Sequence, residues 1–307
     1  MKATQEKSFN TSTSTAPSPG FSQILADFIE LTKPGITILV LISMAIGFLL
    51  GSAGSVDFTL LFHAILGTVL IAGGTAAHNQ YIERDLDKLM LRTSKRPLPT
   101  ERIKPAVALT FSLSMIFGGF AYLVFTVNTT AGIVSALTTF SYLALYTPMK
   151  RVSFNNVWIG AIPGALPPVG GWAAATGNIT EPGVWVLFGI VFLWQIPHVV
   201  SIAWLCNEDY TRAGFNMLPK NDAAGTKSAW VSIGCLLLLI PVSLSLYFMG
   251  YNGLIYLIGA LLSGLGFLYY GIKFYQNRDK GPAKTLMFAS IFYLPVVWVF
   301  ILLDVLF

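Results

Sequence analysis

The chain has 307 residues, of which 54% are hydrophobic and only 11% are charged, and its mean hydropathy is +0.68. Soluble domains carry about 25% charged residues. The composition therefore excludes an ordinary soluble globular protein and indicates an integral membrane protein.

Apolar segments recur along the whole chain. A helix needs about 20 apolar residues to cross a bilayer. Charges, prolines and turn residues divide the sequence into nine predicted spans: 36–51, 58–81, 105–127, 131–146, 157–175, 184–205, 228–249, 254–274 and 285–306. This repetition excludes a signal peptide before a soluble domain. We predict an all-α, polytopic protein with a single transmembrane domain at 21–307, preceded by a disordered Ser/Thr-rich tail at 1–20.

The distribution of basic residues gives the nine spans an orientation. If the N-terminus is cytoplasmic, all 19 Lys and Arg residues fall on the cytoplasmic side. The connections on the other side, at 52–57, 128–130, 177–183 and 250–253, contain none. This is the positive-inside pattern, and it predicts a cytoplasmic N-terminus and an external C-terminus in a membrane that we expect to be a bacterial cell membrane. The net charge of +5 therefore requires no nucleic acid as a partner.

A polar stripe lies at the cytoplasmic end of the second span. At about 100° per residue, Asn79, Glu83 and Asp87 share one helix face, whereas Asp85 points elsewhere. Two carboxylates four residues apart repel each other unless a cation lies between them. A divalent metal ion would remove that repulsion.

The segment around this stripe allows two interpretations. In one it is only a solvated helix end, with ion pairs Arg84–Asp87 and Lys88–Asp85. In the other, the basic loop that follows it is part of the site; this loop contains Arg92, Lys95 and Arg96. Oxygen ligands for Mg²⁺ beside guanidinium groups are the components of a diphosphate site. We favour the second interpretation, because the amide, the carboxylates and the arginines follow one another directly.

Two other spans end at the same membrane face. The sixth span is followed by an acidic cluster with Glu208 and Asp209, and the fourth ends with Tyr142, Tyr146 and then Lys150. Three spans therefore bring polar ends to one cytoplasmic mouth.

Two motifs carry a resemblance to a known family. The first is Asn79-x3-Glu83-Arg84-Asp85-x-Asp87, with Arg92-Thr93-x2-Arg96-Pro97-Leu98 after it. It resembles the first Asp-rich motif of the UbiA-type intramembrane prenyltransferases, in the form found in the protoheme IX farnesyltransferase (heme O synthase) branch. The segment from Ile196-Pro197-His198 to Met217-Leu218-Pro219 resembles that branch's second motif. Leu31-Thr32-Lys33-Pro34 is a further match, whereas Gln80 stands where many members of the family carry Asp.

The resemblance implies a UbiA-like helical bundle with its active site at the cytoplasmic face. It implies farnesyl transfer from farnesyl diphosphate to a vinyl group of protoheme IX (heme B), which is a substrate and not a cofactor. The bilayer and a downstream heme A synthase or oxidase-assembly factor are the further implied partners. The implied Mg²⁺ and diphosphate ligands, which are also the catalytic residues, are Asn79, Glu83, Asp87 and Asp209. The implied substrate-binding residues are Arg92, Arg96 and Lys150 for phosphate, with Glu208 in the same cluster, and Tyr142 and Tyr146 for the allylic cation.

Three alternatives remain open. On a continuous helix His198 lies about 16 Å deeper than Asp209, where it either contacts heme or makes an interhelical hydrogen bond. The acceptor is either heme or an aromatic quinone precursor. A transporter is the alternative from another class, but its charges are expected near the bilayer midplane, whereas here they gather at one face.

Overall fold

A computed structural model describes residues 20–306, so the predicted tail lies outside the described residues except for Gly20. Every regular element in this range is helical. The helices are α1 (Phe21–Leu31), α2 (Pro34–Gly51), α3 (Phe58–Asp87), α4 (Pro105–Thr126), α5 (Thr129–Phe140), α6 (Thr147–Met149), α7 (Asn156–Thr176), α8 (Pro182–Leu205), α9 (Asn207–Arg212), α10 (Thr226–Phe248), α11 (Leu254–Gln276) and α12 (Lys280–Leu306). A π-helical segment, Ser141–Tyr146, joins α5 to α6.

The nine predicted spans all fall on helices within residues 20–306. Seven of these helices, namely α2, α3, α4, α8, α10, α11 and α12, are long and apolar enough to cross a membrane. The other two predicted spans correspond to α5 with its π-helical continuation and to α7, which contains Pro163, Pro167 and Pro168. The chain is therefore an integral, multi-pass membrane protein.

Close helix contacts hold the bundle together. Helix α2 packs against α7, and α3 packs against α4. A Cβ atom at Gly47 would overlap the carbonyl oxygen of Pro168, and one at Gly171 would overlap that of Met44. Small residues at such crossings let two backbones touch, which is how helices associate where lipid removes the hydrophobic driving force. Large apolar side chains such as Phe117, Phe125 and Leu262 face outward.

Helix α3 is long enough to project from the membrane. Its 30 residues extend about 45 Å, compared with a hydrocarbon thickness of about 30 Å. The Asp57 side chain caps its N-terminus by accepting a hydrogen bond from the Leu60 N–H at 2.9 Å. The last turns of α3, which carry the polar stripe, therefore extend beyond the apolar layer.

The sixth predicted span does not continue as one helix to Asp209. Helix α8 ends at Leu205, and Cys206 has a non-helical backbone with φ −105° and ψ 19°. A separate short helix, α9, then carries Asp209. The prediction that His198 and Asp209 lie about 16 Å apart along a continuous helix is thus wrong, because the backbone changes direction between them.

Candidate active site

The predicted polar stripe faces the interior of the bundle. Asn79, Glu83 and Asp87 are only 1%, 5% and 1% exposed. By contrast, the Asp85 side chain is 73% exposed and lies 3.6 Å from Arg84. Helical periodicity explains the difference, because residues 79, 83 and 87 repeat every four positions and Asp85 falls between them.

Each member of the stripe is held by its own cation. Arg96 Nη1 donates to Asp87 Oδ2 at 2.8 Å, and Lys150 Nζ donates to Glu83 Oε1 at 2.8 Å. Lys33 Nζ donates to Asn79 Oδ1 at 3.1 Å. Three cations therefore surround two carboxylates and an amide, which leaves positive charge available for an anion.

The ion pairs expected of a solvated helix end are not the ones that form. Arg84 contacts Asp85 and not Asp87, and Lys88 lies 3.6 Å from Glu101. Asp87 is instead bound by an arginine from the loop after α3. The stripe is therefore part of a buried polar site.

The ammonium group of Lys150 is held in an aromatic setting. Its Nζ lies 4.6 Å from the centre of the Tyr146 ring and 5.6 Å from that of Phe215. Burial alone would lower the pKa of Lys150, but Tyr146 and Glu83 more than offset it, so the pKa is raised. Lys150 is thus a fixed positive charge at the mouth of the bundle.

The pKa of Lys33 is shifted in the opposite direction. Burial, followed by the nearby positive charges of Arg96 and Lys150, lowers its pKa from 10.5 to about 7. An incoming anion would favour the charged form of Lys33, because it offsets the repulsion from the other two cations.

The stripe offers oxygen atoms that suit Mg²⁺. Asp87 Oδ1 is buried and has no hydrogen-bond partner, although Asp87 Oδ2 is held by Arg96. A buried carboxylate oxygen without a donor is well suited to bind a cation. Among residues 20–306, no group of three or more His, Cys, Asp or Glu side chains forms a metal cluster by itself. The available donors are Asn79, Glu83 and Asp87, and Mg²⁺ commonly completes such a set with phosphate oxygens and water.

An apolar cavity of about 300 Å³ opens next to the stripe. Lys33, Tyr142 and Tyr146 line its polar end, and Met44 and Val134 line its apolar wall. The π-helical segment carries both tyrosines, whose ring centres lie 5.4 Å apart. The Tyr142 hydroxyl lies 3.5 Å from Asn79 Oδ1. The arrangement places a cluster of positive charges beside an apolar chamber that is partly lined by aromatic faces.

The chain matches the UbiA prenyltransferase family over residues 40–293. It belongs to this family. A protoheme IX farnesyltransferase of Solibacter usitatus (strain Ellin6076) is 45% identical over 289 residues, covering 91% of this chain and 99% of that protein. The protoheme IX farnesyltransferase of Opitutus terrae (strain DSM 11246 / JCM 15787 / PB90-1) is 40% identical, with coverages of 94% and 98%.

Solved structures of UbiA-family and related proteins share the fold of this UbiA-family chain. A digeranylgeranylglyceryl phosphate synthase structure superposes with a TM-score of 0.77 at 18% identity, covering 92% of this chain and 99% of that one. A UbiA homologue from Archaeoglobus fulgidus bound to DMAPP and Mg²⁺ gives a TM-score of 0.63 at 15% identity, with coverages of 90% and 99%. The nine predicted spans thus belong to a UbiA-like bundle.

In this UbiA-family protein, Asp209 binds the loop that follows α3. Its Oδ1 and Oδ2 accept hydrogen bonds from the N–H groups of Leu91 and Arg92, each at 3.3 Å. Arg212 also pairs with Asp209 at 2.9 Å, and the Arg92 guanidinium lies 6.0 Å from the Tyr210 ring. The structure thereby joins the second motif to the first through the loop backbone.

Two predicted substrate residues of the UbiA-family chain lie away from the cavity. Glu208 is exposed and lies 3.6 Å from Lys280. His198 Nδ1 lies 2.7 Å from Ser290 Oγ on α12, and its ring stacks on Trp194. The α8 residues that line the cavity are Gln195 and Val199. Of the two interpretations of His198, the structure agrees with the interhelical hydrogen bond.

Lys33 was not among the predicted site residues of this UbiA-family sequence. It lies 46 positions before Asn79, and only the fold brings its Nζ to the stripe. The signal that could have found it is the Leu31-Thr32-Lys33-Pro34 motif, in which a lysine precedes the start of an apolar span. No motif in the sequence indicated Phe215, whose ring centre lies 5.6 Å from Lys150 Nζ.

Proposed function

We propose that this protein transfers the farnesyl group of farnesyl diphosphate to a vinyl group of protoheme IX, forming heme O. The buried stripe of Asn79, Glu83 and Asp87, opening into an apolar cavity, is the observation that carries the chemistry. The choice of acceptor and prenyl donor is supported by full-length relatives named protoheme IX farnesyltransferase.

Mg²⁺ is the proposed metal, and its ligands are proposed to be Asn79, Glu83 and Asp87, with diphosphate oxygens completing the set. Asp209 stays a prediction as a fourth ligand, because both of its carboxylate oxygens already accept hydrogen bonds from the loop backbone. Support comes from the unpartnered Asp87 Oδ1 and from the A. fulgidus homologue, which binds Mg²⁺ together with DMAPP. The metal would neutralise charge that develops on the leaving diphosphate. Asp209 is proposed to act on the same group by holding the loop that carries Arg92 and Arg96.

The side chains of the mouth bind and orient the diphosphate. Arg96, Lys150 and Lys33 already surround the stripe, and Arg92 follows on the same loop. Fixed cations stabilise negative charge as the C1–O bond of the prenyl donor breaks, and they need no reorganisation to do so. No serine or cysteine nucleophile is required, because the allylic carbon ionises directly.

The cavity would protect the allylic cation formed in this step. Tyr142 and Tyr146 present electron-rich faces at the polar end of the cavity, where the cation appears. Apolar walls exclude water that would otherwise capture it. The vinyl carbon of heme then bonds to C1 of the farnesyl group, and the resulting cation on the porphyrin side takes a hydroxyl from water, which releases a proton. The product carries a hydroxyethylfarnesyl group.

The proposal is tested by giving the purified protein two acceptors at once. Labelled farnesyl diphosphate is offered with heme B and with an aromatic quinone precursor, in the presence of Mg²⁺. We expect label only in heme and loss of transfer when a chelator removes the metal. Labelled quinone precursor with unlabelled heme would overturn the choice of acceptor, and diphosphate release that persists without divalent metal would overturn the metal assignment.

We further propose that the site faces the cytoplasm, because all 19 basic residues lie on that side of a nine-span chain. A reporter that is active only in the cytoplasm should be active after Lys150 and inactive after Phe307. A reporter active only outside serves as the matched control and should give the reverse pattern. Cytoplasmic activity at both positions would mean an even number of spans and would contradict the orientation.

His198 and Glu208 stay predictions as substrate-binding residues. Neither lines the cavity: His198 is held against Ser290 of α12, and Glu208 is exposed on α9. The proposed partners are farnesyl diphosphate, protoheme IX and the bilayer, with a heme A synthase or oxidase-assembly factor receiving the product.

A further inference from the structure

The end of α1 lies beside the polar stripe, and Lys33 follows it after one intervening residue, Thr32. Lys33 has φ 48° and ψ 63°, in the left-handed region that residues other than glycine seldom adopt. Such a backbone persists only where its surroundings hold it in place. Since Lys33 Nζ donates to Asn79 Oδ1, the position of this cation depends on how the end of α1 is fixed.

Gln80 is the residue of α3 that fixes it. Its side chain is buried and lies next to Asn79 in the chain. Its Nε2 donates to the carbonyl oxygens of Glu30, at 3.2 Å, and Leu31, at 3.1 Å. Carbonyl groups in the last turn of a helix lack partners within that helix and need donors from elsewhere; the Glu30 carbonyl also accepts from the Lys33 N–H at 3.2 Å. One amide group thus binds the end of α1 to the helix that carries the stripe.

This contact requires an amide and not a carboxylate. A carboxylate only accepts hydrogen bonds, so Asp or Glu at position 80 would face the two α1 carbonyls without a donor. Gln80 Oε1 is buried without a hydrogen-bond partner, so the Nε2 group makes all of the hydrogen bonds of this amide.

We propose that Gln80 is a positioning residue, which anchors the end of α1 and thereby sets the Lys33 ammonium against Asn79 and the incoming diphosphate. The inference rests on the proposed function only in naming the anion as a prenyl diphosphate. It adds a residue outside the Mg²⁺ ligands and the arginine loop, and it makes α1 part of the site.

The remainder of α1 is held independently of Gln80. Asp27 and Glu30 both pair with Arg102, at 2.9 Å and 3.1 Å, and Phe28 packs on Phe111. Removing the Gln80 donor therefore leaves α1 attached to the bundle. The expected defect is a displaced Lys33, and with it weaker binding of the anion.

The test compares variants at position 80 that keep or lose the donor. Gln80→Met has similar length and no donor, whereas Gln80→His keeps an N–H at a similar distance from the backbone. We expect the dissociation constant for farnesyl diphosphate, measured by equilibrium binding with Mg²⁺ and without heme, to rise roughly tenfold in Gln80→Met, the effect of losing a hydrogen bond from a charged group. Gln80→His should stay within about threefold of the parent protein. Gln80→Glu, a second variant without a donor, carries the same expectation if Gln80→Met accumulates poorly.

A double-mutant cycle with Lys33→Met shows whether Gln80 acts through Lys33. If it does, adding Gln80→Met to Lys33→Met weakens binding no further, because the cation that Gln80 positions is already gone. Independent, multiplicative effects of the two substitutions would overturn the positioning role.

Asn128→Leu is the matched control for a purely structural loss. Asn128 Nδ2 also donates to two carbonyls at the end of a helix, those of Ala173 and Ala174, but at the opposite end of the bundle. This variant should lower the thermal midpoint and leave farnesyl diphosphate binding unchanged.

If Gln80→Met behaves in the same way, the inference fails while heme farnesylation by the parent protein still supports the proposed function. Absence of heme farnesylation with the expected binding changes would overturn the function and leave the positioning role standing.

Discussion

Asp87→Asn is expected to lower turnover at least about a hundredfold while the protein still inserts into the membrane. Asp87 is the buried end of the stripe, with one oxygen bound to Arg96 and the other without a donor. The substitution keeps the shape but removes the charge that both the metal and Arg96 require. Losing one preorganised group that stabilises developing charge lowers kcat roughly a hundredfold to a thousandfold. The measurement is the rate of farnesyl transfer to heme at saturating substrates, together with the Mg²⁺ dependence.

Asp85→Asn is the matched control, because it removes the same charge two residues away on an exposed part of α3. Its pairing with Arg84 at 3.6 Å is a surface contact, and such pairs contribute about 0–1 kcal/mol. We expect its rate to stay within about threefold of the parent. Equal losses in the two variants would show that the buried face of α3 does not define the site.

Lys150→Met is expected to lower kcat/KM about a hundredfold or more, and to destabilise the protein as well. The ammonium of Lys150 is buried, pairs with Glu83 and lies over the Tyr146 ring. Its removal takes a fixed cation from the diphosphate and leaves Glu83 as a buried, unpaired charge. An uncompensated charge of this kind costs about 3–5 kcal/mol. Steady-state kinetics and thermal unfolding in detergent measure the two effects.

A second substitution separates the two effects. Glu83→Gln added to Lys150→Met removes the unpaired charge, so it should recover thermal stability but not activity. Arg151→Met is the control at the neighbouring position, where the side chain is exposed, and it should resemble the parent in both measurements. Recovery of activity along with stability in the double variant would contradict a role in the site for both Lys150 and Glu83.

The polar stripe could be predicted from the sequence because it depends on local geometry alone. Helical periodicity determines that Asn79, Glu83 and Asp87 share a face, whatever surrounds them. The positions of the spans could also be predicted, because hydropathy and charge are properties of short, continuous stretches of sequence. The family resemblance supplied the expected fold, which the match over residues 40–293 confirms.

The partners of the stripe depend on contacts between distant parts of the chain. Lys150 is 67 residues from Glu83, and Lys33 is 46 residues from Asn79. Basic residues near helix ends are common in any membrane protein, so the sequence does not indicate which of them turn inward. Packing of α1 and of the π-helical segment against α3 decides this.

Backbone irregularities also limited the prediction. The break at Cys206 redirects the chain before Asp209, and nothing in a run of apolar residues followed by Asn-Glu-Asp marks it. The π-helical turn at Ser141–Tyr146 likewise sets the placement of both tyrosines, although the sequence of that segment fits an ordinary helix.

The most direct test of the proposed activity is chromatography of hemes extracted from cells that make only heme B and express this protein. We predict a new, more hydrophobic heme whose mass exceeds that of heme B by one farnesyl group and one hydroxyl, and its loss in Asp87→Asn but not in Asp85→Asn. Heme B alone, in cells whose membranes contain the inserted protein, would contradict farnesyl transfer to heme.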